Sequence, residues 1–538
     1  MPIKDDLSEF VKAVNDPQTL ALYSKDASIF ELMPELVTYP QSSDEIKKIV
    51  EFVNEHLKDF LYITVRSAGT DMSGGAIGES IILDIKGLNK LIKLSGSSAI
   101  VQPGMYYRDF EAETLKQDLL LPTYPASKEI CTIGGMIANN AGGELELTYG
   151  PINKYLNCMK VILSDGNEYT FKSLAKDQLE KKITQKNFEG KIYSEIYNLI
   201  KENEELVKKA KPQTSKNSTG YDLWEVWDGK NFDLSKLIIG SQGTLGIITE
   251  AQFRLIKPKA HQTLLVISLP DLSQLDQVVK TTLQYKPESF ECYDDQTLKL
   301  ALNHAWDIAA NFKHSNRLSA YLNLKIDSMQ KIPKLTLIAN FTSNNKDDAL
   351  YKAMDAKTAL KQFNLKADVK TTEKDQEKYW IIRHKSFGLL MKYAKGMKAS
   401  PFIDDIIVKP EYLPEFLPKL NAIIAPYKDK MIYTLAGHIG DGNFHIIPLM
   451  DLGNEEVRSI IPSLMDKVFK LVFEYKGSMS GEHNDGLIRG PYLPEMYGDD
   501  IYQLFKKVKE IFDPNNIFNP HKKVDATFNY SLKHMSTG

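Results

Sequence analysis

Four side chains that can hold a metal ion or move a proton lie close together, late in this sequence of 538 residues. His438, His445 and Glu482 are residue types that bind divalent metals, and His483 follows directly. They belong to two short motifs, G-H-I-G-D-G-N-F-H at 437–445 and G-E-H at 481–483. Two imidazoles and one carboxylate would leave a fourth position on the ion open for water or substrate, as in catalytic metal sites.

A β-hairpin is the element expected to position the two histidines. Asp441-Gly442 is a strong signal for a two-residue turn, and apolar strand-like segments flank it at 432–435 and 444–447. A turn centred there places residues 438 and 445 directly opposite each other, so that both side chains leave one face with Cβ atoms roughly 5 Å apart. The alternative is that these are ordinary turn and loop histidines. It is weakened because three of only ten histidines fall in the two motifs.

The composition is that of an ordinary globular protein, with 43% hydrophobic and 25% charged residues. A net charge of −3 gives no global field that would favour nucleic acid. The sequence contains no apolar run of the ~18–20 residues that a membrane helix needs, and its N-terminus lacks a signal-peptide core. The three cysteines, Cys131, Cys158 and Cys292, are far apart in sequence. We therefore expect a cytoplasmic protein without disulfides or an iron–sulfur cluster of its own.

Three glycine-rich segments in the first half follow or precede strand-like sequence. We call them the first (66–78), second (132–143) and third (239–246) glycine loops. Glycines let the backbone approach an anion closely and turn N–H groups toward it, which suits a diphosphate. None matches the P-loop pattern, and none gives a clean G-x-G-x-x-G that opens a helix in a βαβ unit. Three such loops together favour one large cofactor threaded between them.

The chain changes character near residue 255, and more than one domain is expected from its length. Before that point, short helices alternate with β-rich runs, the last of them at 237–239. After it, strands predicted at 264–269, 318–324, 335–342 and 432–435 are separated by amphipathic helices, an α+β pattern. We predict a cofactor-binding domain at 1–255, a cap or substrate domain at 256–470, and a C-terminal segment at 471–538 that packs on the first domain.

Read together, these motifs resemble the PCMH-type (vanillyl-alcohol-oxidase-type) FAD-binding oxidoreductases. The similarity is to the branch of D-lactate dehydrogenases, glycolate oxidase flavin subunits and D-2-hydroxyglutarate dehydrogenases. The family patterns are close to R-G-x-G-T-x-x-x-G-G, P-x-x-x-x-x-x-T-I-G-G-x-x-A-x-N-A-G-G and G-S-x-G-T-L-G-I-I-T. The corresponding segments here are 66–75, 125–143 and 240–249. G-H-x-G-D-G-N-x-H, G-E-H and a final D-P-x-x-I-x-N-P are also shared. The resemblance implies an α+β fold: a two-subdomain FAD-binding domain, a cap domain with an antiparallel sheet, and a C-terminal segment that returns to the flavin.

The resemblance also implies which residues bind FAD. The cofactor would be non-covalent, because the first glycine loop contains no histidine or cysteine. The implied positions are Arg66, Ser67, Ala68, Gly69, Thr70, Ser73, Gly74, Gly75, Pro125, Thr132, Gly134, Gly135, Ala138, Asn139, Asn140, Ala141, Gly142, Gly143, Gly240, Gly243, Thr244, Gly246, Ile247, Ile248 and Asn519.

In the family, residues matching His438, His445 and Glu482 bind a divalent metal, usually zinc or manganese. His483 matches the catalytic base, whose unperturbed pKa of ~6.5 suits proton transfer near neutral pH. Arg383 matches the arginine that holds the substrate carboxylate, although a surface helix residue is an equal alternative.

This sequence departs from the family pattern in several places. Asn484 and Asp485 replace the usual glycine and isoleucine after G-E-H, and Ala68 and Asp71-Met72 vary the first glycine loop. Asp404 and Asp405 stand where the hydroxyglutarate enzymes carry a lysine for the distal carboxylate, which argues against a dianionic substrate.

The resemblance implies a dehydrogenase that oxidises a D-2-hydroxyacid, D-lactate first, and passes a hydride to FAD. Electrons would leave to a quinone, a cytochrome or an iron–sulfur protein, and peripheral attachment to the cytoplasmic membrane face stays open. The alternatives are a flavin subunit of an electron-transfer complex, a non-redox flavin-dependent transferase of the same fold, and a metal-dependent hydrolase. The hydrolase would leave the three glycine loops unexplained.

Overall fold

Two main β-sheets and a two-stranded ribbon form the first half of the chain. The computed structural model of the protein describes residues 3–329, 331–393 and 396–538. The strands of this half are β1 (Ala13–Val14), β2 (Leu36–Thr38), β3 (Ile63–Arg66), β4 (Ile81–Asp84), β5 (Leu91–Ser95), β6 (Ser98–Val101), β7 (Leu156–Ile162), β8 (Glu168–Lys172), β9 (Leu174–Ala175), β10 (Asn231–Phe232) and β11 (Ile247–Arg254). One sheet has the order β1-β2-β4-β3 and the other β5-β6-β11-β7-β8. β4 pairs in parallel with both neighbours, whereas the second sheet is antiparallel.

Helices cover these sheets with apolar faces that the sequence spacing provides. In the helix Ser43–Glu55, Ile46, Ile49, Val50 and Val53 are buried at the spacing of one helical face, and the Ser42 side chain caps the N-terminus. The α-helices of this half are α1 (Ile3–Ser8), α2 (Pro17–Tyr23), α3 (Ser43–Glu55), α4 (Tyr107–Leu115), α5 (Ile133–Asn139), α6 (Glu146–Tyr149), α7 (Lys176–Ile183), α8 (Phe188–Glu202), α9 (Glu204–Ala210) and α10 (Ser235–Ile238).

An antiparallel sheet of seven strands dominates the second half. Its order is β15-β12-β14-β13-β18-β19-β17, and β16 pairs with β20 separately. The strands are β12 (His261–Leu269), β13 (Ser289–Asp294), β14 (Leu335–Ser343), β15 (Lys366–Lys370), β16 (Lys398–Ala399), β17 (Ile406–Ile407), β18 (Leu435–His438), β19 (Asn443–Ile446) and β20 (Leu449–Met450). The helices are α11 (Leu275–Leu283), α12 (Asp295–Asn303), α13 (Ala305–Ala309), α14 (Arg317–Ser328), α15 (Lys346–Ala359), α16 (Glu373–Tyr393), α17 (Leu413–Ile424), α18 (Glu455–Glu474), α19 (Gly486–Arg489), α20 (Leu493–Tyr497), α21 (Asp499–Phe512) and α22 (Phe528–Lys533).

The C-terminal part of the chain packs on the sheets of the first half. Leu504, Phe505 and Phe512 of α21 belong to the same apolar core as the five-stranded sheet. After α21, the chain runs beside β3, where Ile63 N donates to Ile517 O and Asn519 N donates to Ile63 O, both at 2.8 Å. Residues from both ends of the sequence therefore build the region around the first glycine loop.

Two predicted strands are helices in the structure. Residues 237–239 lie in and just after α10, where the Asp233 side chain accepts hydrogen bonds from Ser235 N and Oγ. Residues 318–324 lie in α14, whose buried residues Ala320 and Leu324 are four positions apart. Both runs are short and apolar, and periodicity alone does not separate helix from strand in such runs.

Candidate active site

The three glycine loops meet around one cavity that is open to solvent on one side. The first loop follows β3, the second contains α5, and the third joins α10 to β11. Gly75 illustrates how closely the loops approach, because a Cβ on it would lie 2.4 Å from Gln242 Nε2. Several predicted FAD residues line this cavity: Ser67, Gly69, Thr70, Gly75, Gly134, Gly135, Ala138, Asn139, Gly243, Gly246 and Ile248.

Two other predicted FAD residues, Arg66 and Asn519, do not line the cavity but form hydrogen bonds to the backbone of the loops. The Arg66 guanidinium lies over the Tyr23 ring and donates to Tyr23 O and Ala76 O. Asn519 is fully buried, and its Nδ2 donates to Gly75 O and Gln242 O at 2.8 Å each. The remaining predicted positions do not appear among the described residues that line the cavity: Ala68, Ser73, Gly74, Pro125, Thr132, Asn140, Ala141, Gly142, Gly143, Gly240, Thr244 and Ile247.

Asp71 connects all three loops. Its Oδ1 accepts from Ser73 N, Ser73 Oγ and Gly75 N within the first loop. Its Oδ2 accepts from Asn139 Nδ2 at 3.3 Å and from Gln242 Nε2 at 3.1 Å. Asp71, where this sequence departs from the family pattern, therefore joins the three glycine loops by hydrogen bonds. Sequence reasoning missed Gln242, and the only available signal was its position inside the third loop.

The predicted hairpin forms, but its turn is longer than expected. β18 pairs with β19 so that His438 is opposite Asn443 and His445 is opposite Ala436. The prediction that 438 and 445 face each other directly was wrong, because residues 439–442 form a four-residue connection with Gly442 at φ +73°. His445 is two residues beyond Asn443, so both histidines still lie on one face. Their ring centroids are 5.1 Å apart.

The structure brings His438, His445 and Glu482 together. His438 Nε2 lies 3.2 Å from His445 Nε2 and 3.1 Å from Glu482 Oε1. One atom from each of the three residues falls within 4.8 Å of the others, a spacing that suits a metal ion. His438 and Glu482 are buried and His445 is partly buried. This donor set fits a divalent cation with an open position.

A carboxylate lies next to the Nδ1 atom of His438 and another next to the Nδ1 atom of His483. Glu291 Oε1 is 2.6 Å from His438 Nδ1, and Asp404 Oδ2 is 2.7 Å from His483 Nδ1. Burial raises the pKa of Glu291, but the charges of His438 and Arg383 outweigh it and lower that pKa to about 2. Burial lowers the pKa of His438, and the Glu291 charge outweighs it and raises that pKa to about 9.

His483 departs from the value expected from sequence. Burial lowers its pKa, but the charges of Asp405 and Asp404 outweigh burial and raise the pKa to about 9 instead of ~6.5. Without a bound cation, this imidazole is therefore protonated at neutral pH.

Asp404 and Asp405 are fully buried and organise the site itself. Asp405 Oδ2 accepts from Glu482 N at 2.8 Å and from His483 N at 2.7 Å, which fixes the G-E-H turn. These contacts give both aspartates a structural role, and a substrate with a single carboxylate stays a prediction.

Arg383 lies on α16 and pairs with Glu291. Its Nε and Nη2 are 3.0 Å and 2.9 Å from Glu291 Oε2. Arg383 is thus connected to His438 through one carboxylate, and its role toward a substrate stays a prediction.

Lys216 joins this cluster to the second glycine loop and was not found from sequence. Its fully buried ammonium lies 2.5 Å from Glu482 Oε1, 3.3 Å from Glu146 Oε2 and 3.5 Å from Gly143 O. Burial lowers the pKa of Lys216, but Glu146, Glu482 and Asp441 outweigh it and hold that pKa above its ordinary value.

Asn484 connects the G-E-H turn to the glycine loops. Its Nδ2 donates to Gly240 O at 2.8 Å and to Asn139 O at 3.4 Å. Asp485 accepts from Gly220 N and from the buried Lys523 ammonium. The segment that carries Glu482 and His483 is therefore hydrogen-bonded to the second and third glycine loops.

Two family models match this chain in consecutive regions. The FAD binding domain matches residues 34–172, and the C-terminal domain of FAD linked oxidases matches residues 258–523. The chain belongs to the FAD-linked oxidases. The two matches cover the first glycine loop, the second loop and the histidine–glutamate cluster of this FAD-linked oxidase.

Relatives with assigned activities are about one-quarter identical. The D-2-hydroxyglutarate dehydrogenase of Escherichia coli (strain K12) is 25% identical over 93% of this chain, which spans only 49% of that relative. The chain spans about half the length of the first four relatives. Two others match nearly end to end. The glycolate oxidase subunit GlcD of Bacillus subtilis (strain 168) is 27% identical over 97% of both chains. The D-lactate dehydrogenase of Archaeoglobus fulgidus is 26% identical over 91% of both.

Solved structures confirm the predicted PCMH-type fold. A p-cresol methylhydroxylase with bound substrate has a TM-score of 0.68 at 15% identity, covering 96% of this chain and 94% of its own. The 4-ethylphenol oxidase from Gulosibacter chungangensis has a TM-score of 0.70 at 13% identity, covering 98% and 97%. Within the described part of this FAD-linked oxidase, no helix is both long and apolar enough to cross a membrane.

Proposed function

We propose that this chain oxidises a D-2-hydroxyacid, with D-lactate as the first candidate, to the 2-oxoacid. The observation that carries the proposal is the grouping of His438, His445 and Glu482. His483 follows Glu482, and the next residue, Asn484, donates to Gly240 O and Asn139 O of the glycine loops. Similarity to proteins named for D-lactate, glycolate and D-2-hydroxyglutarate supports the substrate class.

The cavity residues fit FAD. The loops present backbone at close approach, as at Gly243 with φ +71°, and polar side chains such as Ser67 and Thr70 line the cavity. Bound FAD supplies the two-electron oxidation of the substrate carbon.

The His438, His445 and Glu482 side chains would hold a divalent cation. The donor set supports this assignment, because His438 Nε2 lies 3.2 Å from His445 Nε2 and 3.1 Å from Glu482 Oε1. A cation there supplies positive charge that lowers the pKa of the substrate hydroxyl and of the nearby His483.

His483 would then accept the hydroxyl proton at Nε2, since its Nδ1 faces Asp404. Arg383 would bind the substrate carboxylate through the guanidinium N–H groups that do not contact Glu291. Lys216 and Asn484, which lie beside this group of residues, are buried. Electrons would pass on to a quinone or to a protein acceptor.

The visible spectrum of the purified protein, taken anaerobically with substrate, tests this proposal. An oxidised-flavin band that bleaches with D-lactate and not with L-lactate is the expected result. Bleaching by glycolate or D-2-hydroxyglutarate in its place would keep the reaction class and change the substrate. A flavin band that no D-2-hydroxyacid bleaches would contradict the proposal and favour the electron-relay subunit. Failure to bind FAD would contradict the assignment of the cavity.

A further inference from the structure

One fully buried carboxylate, Asp404, lies between two histidines of the site. Its Oδ2 is 2.7 Å from His483 Nδ1, and its Oδ1 is 3.6 Å from His445 Nδ1. The two imidazole rings are nearly parallel, with an interplanar angle of 21° and centroids 5.2 Å apart. Both rings therefore present the same nitrogen to the same carboxylate.

The buried atoms between Asp404 and the two rings form no aligned hydrogen bond with any residue that the structure describes. These atoms are Asp404 Oδ2, His445 Nδ1 and His483 Nδ1. Two hydrogen bonds hold Asp404 in place, because Ile446 N donates to its Oδ1 at 3.0 Å and Arg489 Nη2 donates to its backbone carbonyl at 2.7 Å. Catalytic hydrogen bonds are often poorly aligned before substrate binds, and a small ring rotation would align these.

A different carboxylate serves the remaining histidine. Glu291 is 2.6 Å from His438 Nδ1, whereas the Nε2 atoms of His438 and His445 point toward each other at 3.2 Å. Carboxylates on the far nitrogen of a ligating histidine fix its tautomer and orientation. Glu291 thus lies beside the His438 imidazole, whereas Asp404 lies beside two imidazoles.

We propose that Asp404 is a positioning residue shared by His445 and His483. It holds the proton of both rings on Nδ1, so that Nε2 of His445 is free to ligate the cation and Nε2 of His483 is free to accept the substrate proton. This inference rests on the proposed function of the site. It predicts that one aspartate couples metal binding to proton transfer, a coupling that Glu291 cannot provide.

Asp404→Asn and Glu291→Gln form a matched pair of variants for the test. An asparagine can still accept from Ile446 N, but its amide donates toward the histidines and favours the wrong tautomer. In D404N we expect FAD content unchanged, and anaerobic flavin bleaching at saturating substrate slowed at least about 100-fold. Excess Zn²⁺ or Mn²⁺ should not restore the rate, because His483 stays misoriented. E291Q should lose metal affinity, and excess metal should restore much of its rate.

Two outcomes would overturn the inference. If excess metal restores D404N as fully as E291Q, Asp404 serves His445 alone or is itself a ligand; Asp404, His445 and His483 also have ligand atoms within 4.8 Å of one another. A D404N rate equal to the wild-type rate would exclude any positioning role.

Ring nitrogen shifts of the wild-type protein loaded with Zn²⁺ test the same inference without substrate. We expect Nδ1–H in both His445 and His483, with signals assigned through the His445→Asn and His483→Asn variants. Protonation at Nε2 in either ring would overturn the inference. Because this measurement needs neither turnover nor a variant of Asp404, it separates failure of the inference from failure of the proposed reaction.

Discussion

Lys216 Nζ lies 2.5 Å from Glu482 Oε1, although the two residues are 266 positions apart in sequence. The lysine is fully buried, and Glu146 and Asp441 also face its ammonium, at 3.3 Å and 3.7 Å. Three carboxylates thus share one buried positive charge. This charge compensates buried carboxylates from two separate segments, Glu482 of the G-E-H turn and Glu146 just after the second glycine loop.

Lys216→Met is expected to destabilise the protein by about 3–5 kcal/mol, because it leaves buried carboxylates uncompensated. Chemical unfolding of the FAD-loaded protein measures the change. Lys208→Met is the matched control, since Lys208 is exposed on α9 and its replacement should change stability by less than about 0.5 kcal/mol. Equal stability of the two variants would contradict the proposed role of Lys216.

Asp71→Ala is expected to weaken FAD binding by about tenfold or more, because it removes the acceptor that joins the three glycine loops. Equilibrium titration of the apoprotein with FAD, followed by flavin fluorescence, measures the affinity. Asp355→Ala, at an exposed position on α15, is the control. An unchanged affinity in the Asp71 variant would show that the loops hold their arrangement without it.

His438→Ala and His483→Ala are expected to separate metal binding from proton transfer. Both variants should retain FAD and lose turnover, but only His438→Ala should lose the bound metal. Elemental analysis and the anaerobic bleaching rate measure the two effects. His261→Ala, at an exposed position on β12, should behave as wild type. Full activity in either site variant would refute the assignment.

Lys522 predicts a pH dependence of stability. Burial lowers the pKa of its ammonium from 10.5 to about 8. The unfolded chain therefore binds more protons than the folded protein between these values, so stability should rise with pH across that window, by up to about 3 kcal/mol. Unfolding measured from pH 8 to 10.5 should show this rise in wild type and in Lys507→Met, a variant at an exposed position on α21. In Lys522→Met the contribution should be absent, and an unchanged slope there would contradict the prediction.

The sequence by itself determined the motifs and the broad architecture. The glycine loops, the two histidine motifs and the change of pattern near residue 255 predicted the fold class and a cavity between the loops. Strand periodicity of two also placed His438 and His445 on one face, a conclusion that survived the error in the turn because His445 and Asn443 are two residues apart. Short apolar runs such as 318–324 were ambiguous, because they fit a helix and a strand equally well.

Only the tertiary structure decided which charges surround the site. Glu291 reaches His438 from a neighbouring strand, Asp404 reaches two imidazoles, and Lys216 crosses from the first half of the chain to Glu482. These contacts join residues tens to hundreds of positions apart, whereas sequence periodicity reports only which face of its own element a residue occupies. The pKa of His483 follows from those contacts and from burial, so its rise to about 9 could not be predicted from the residue type.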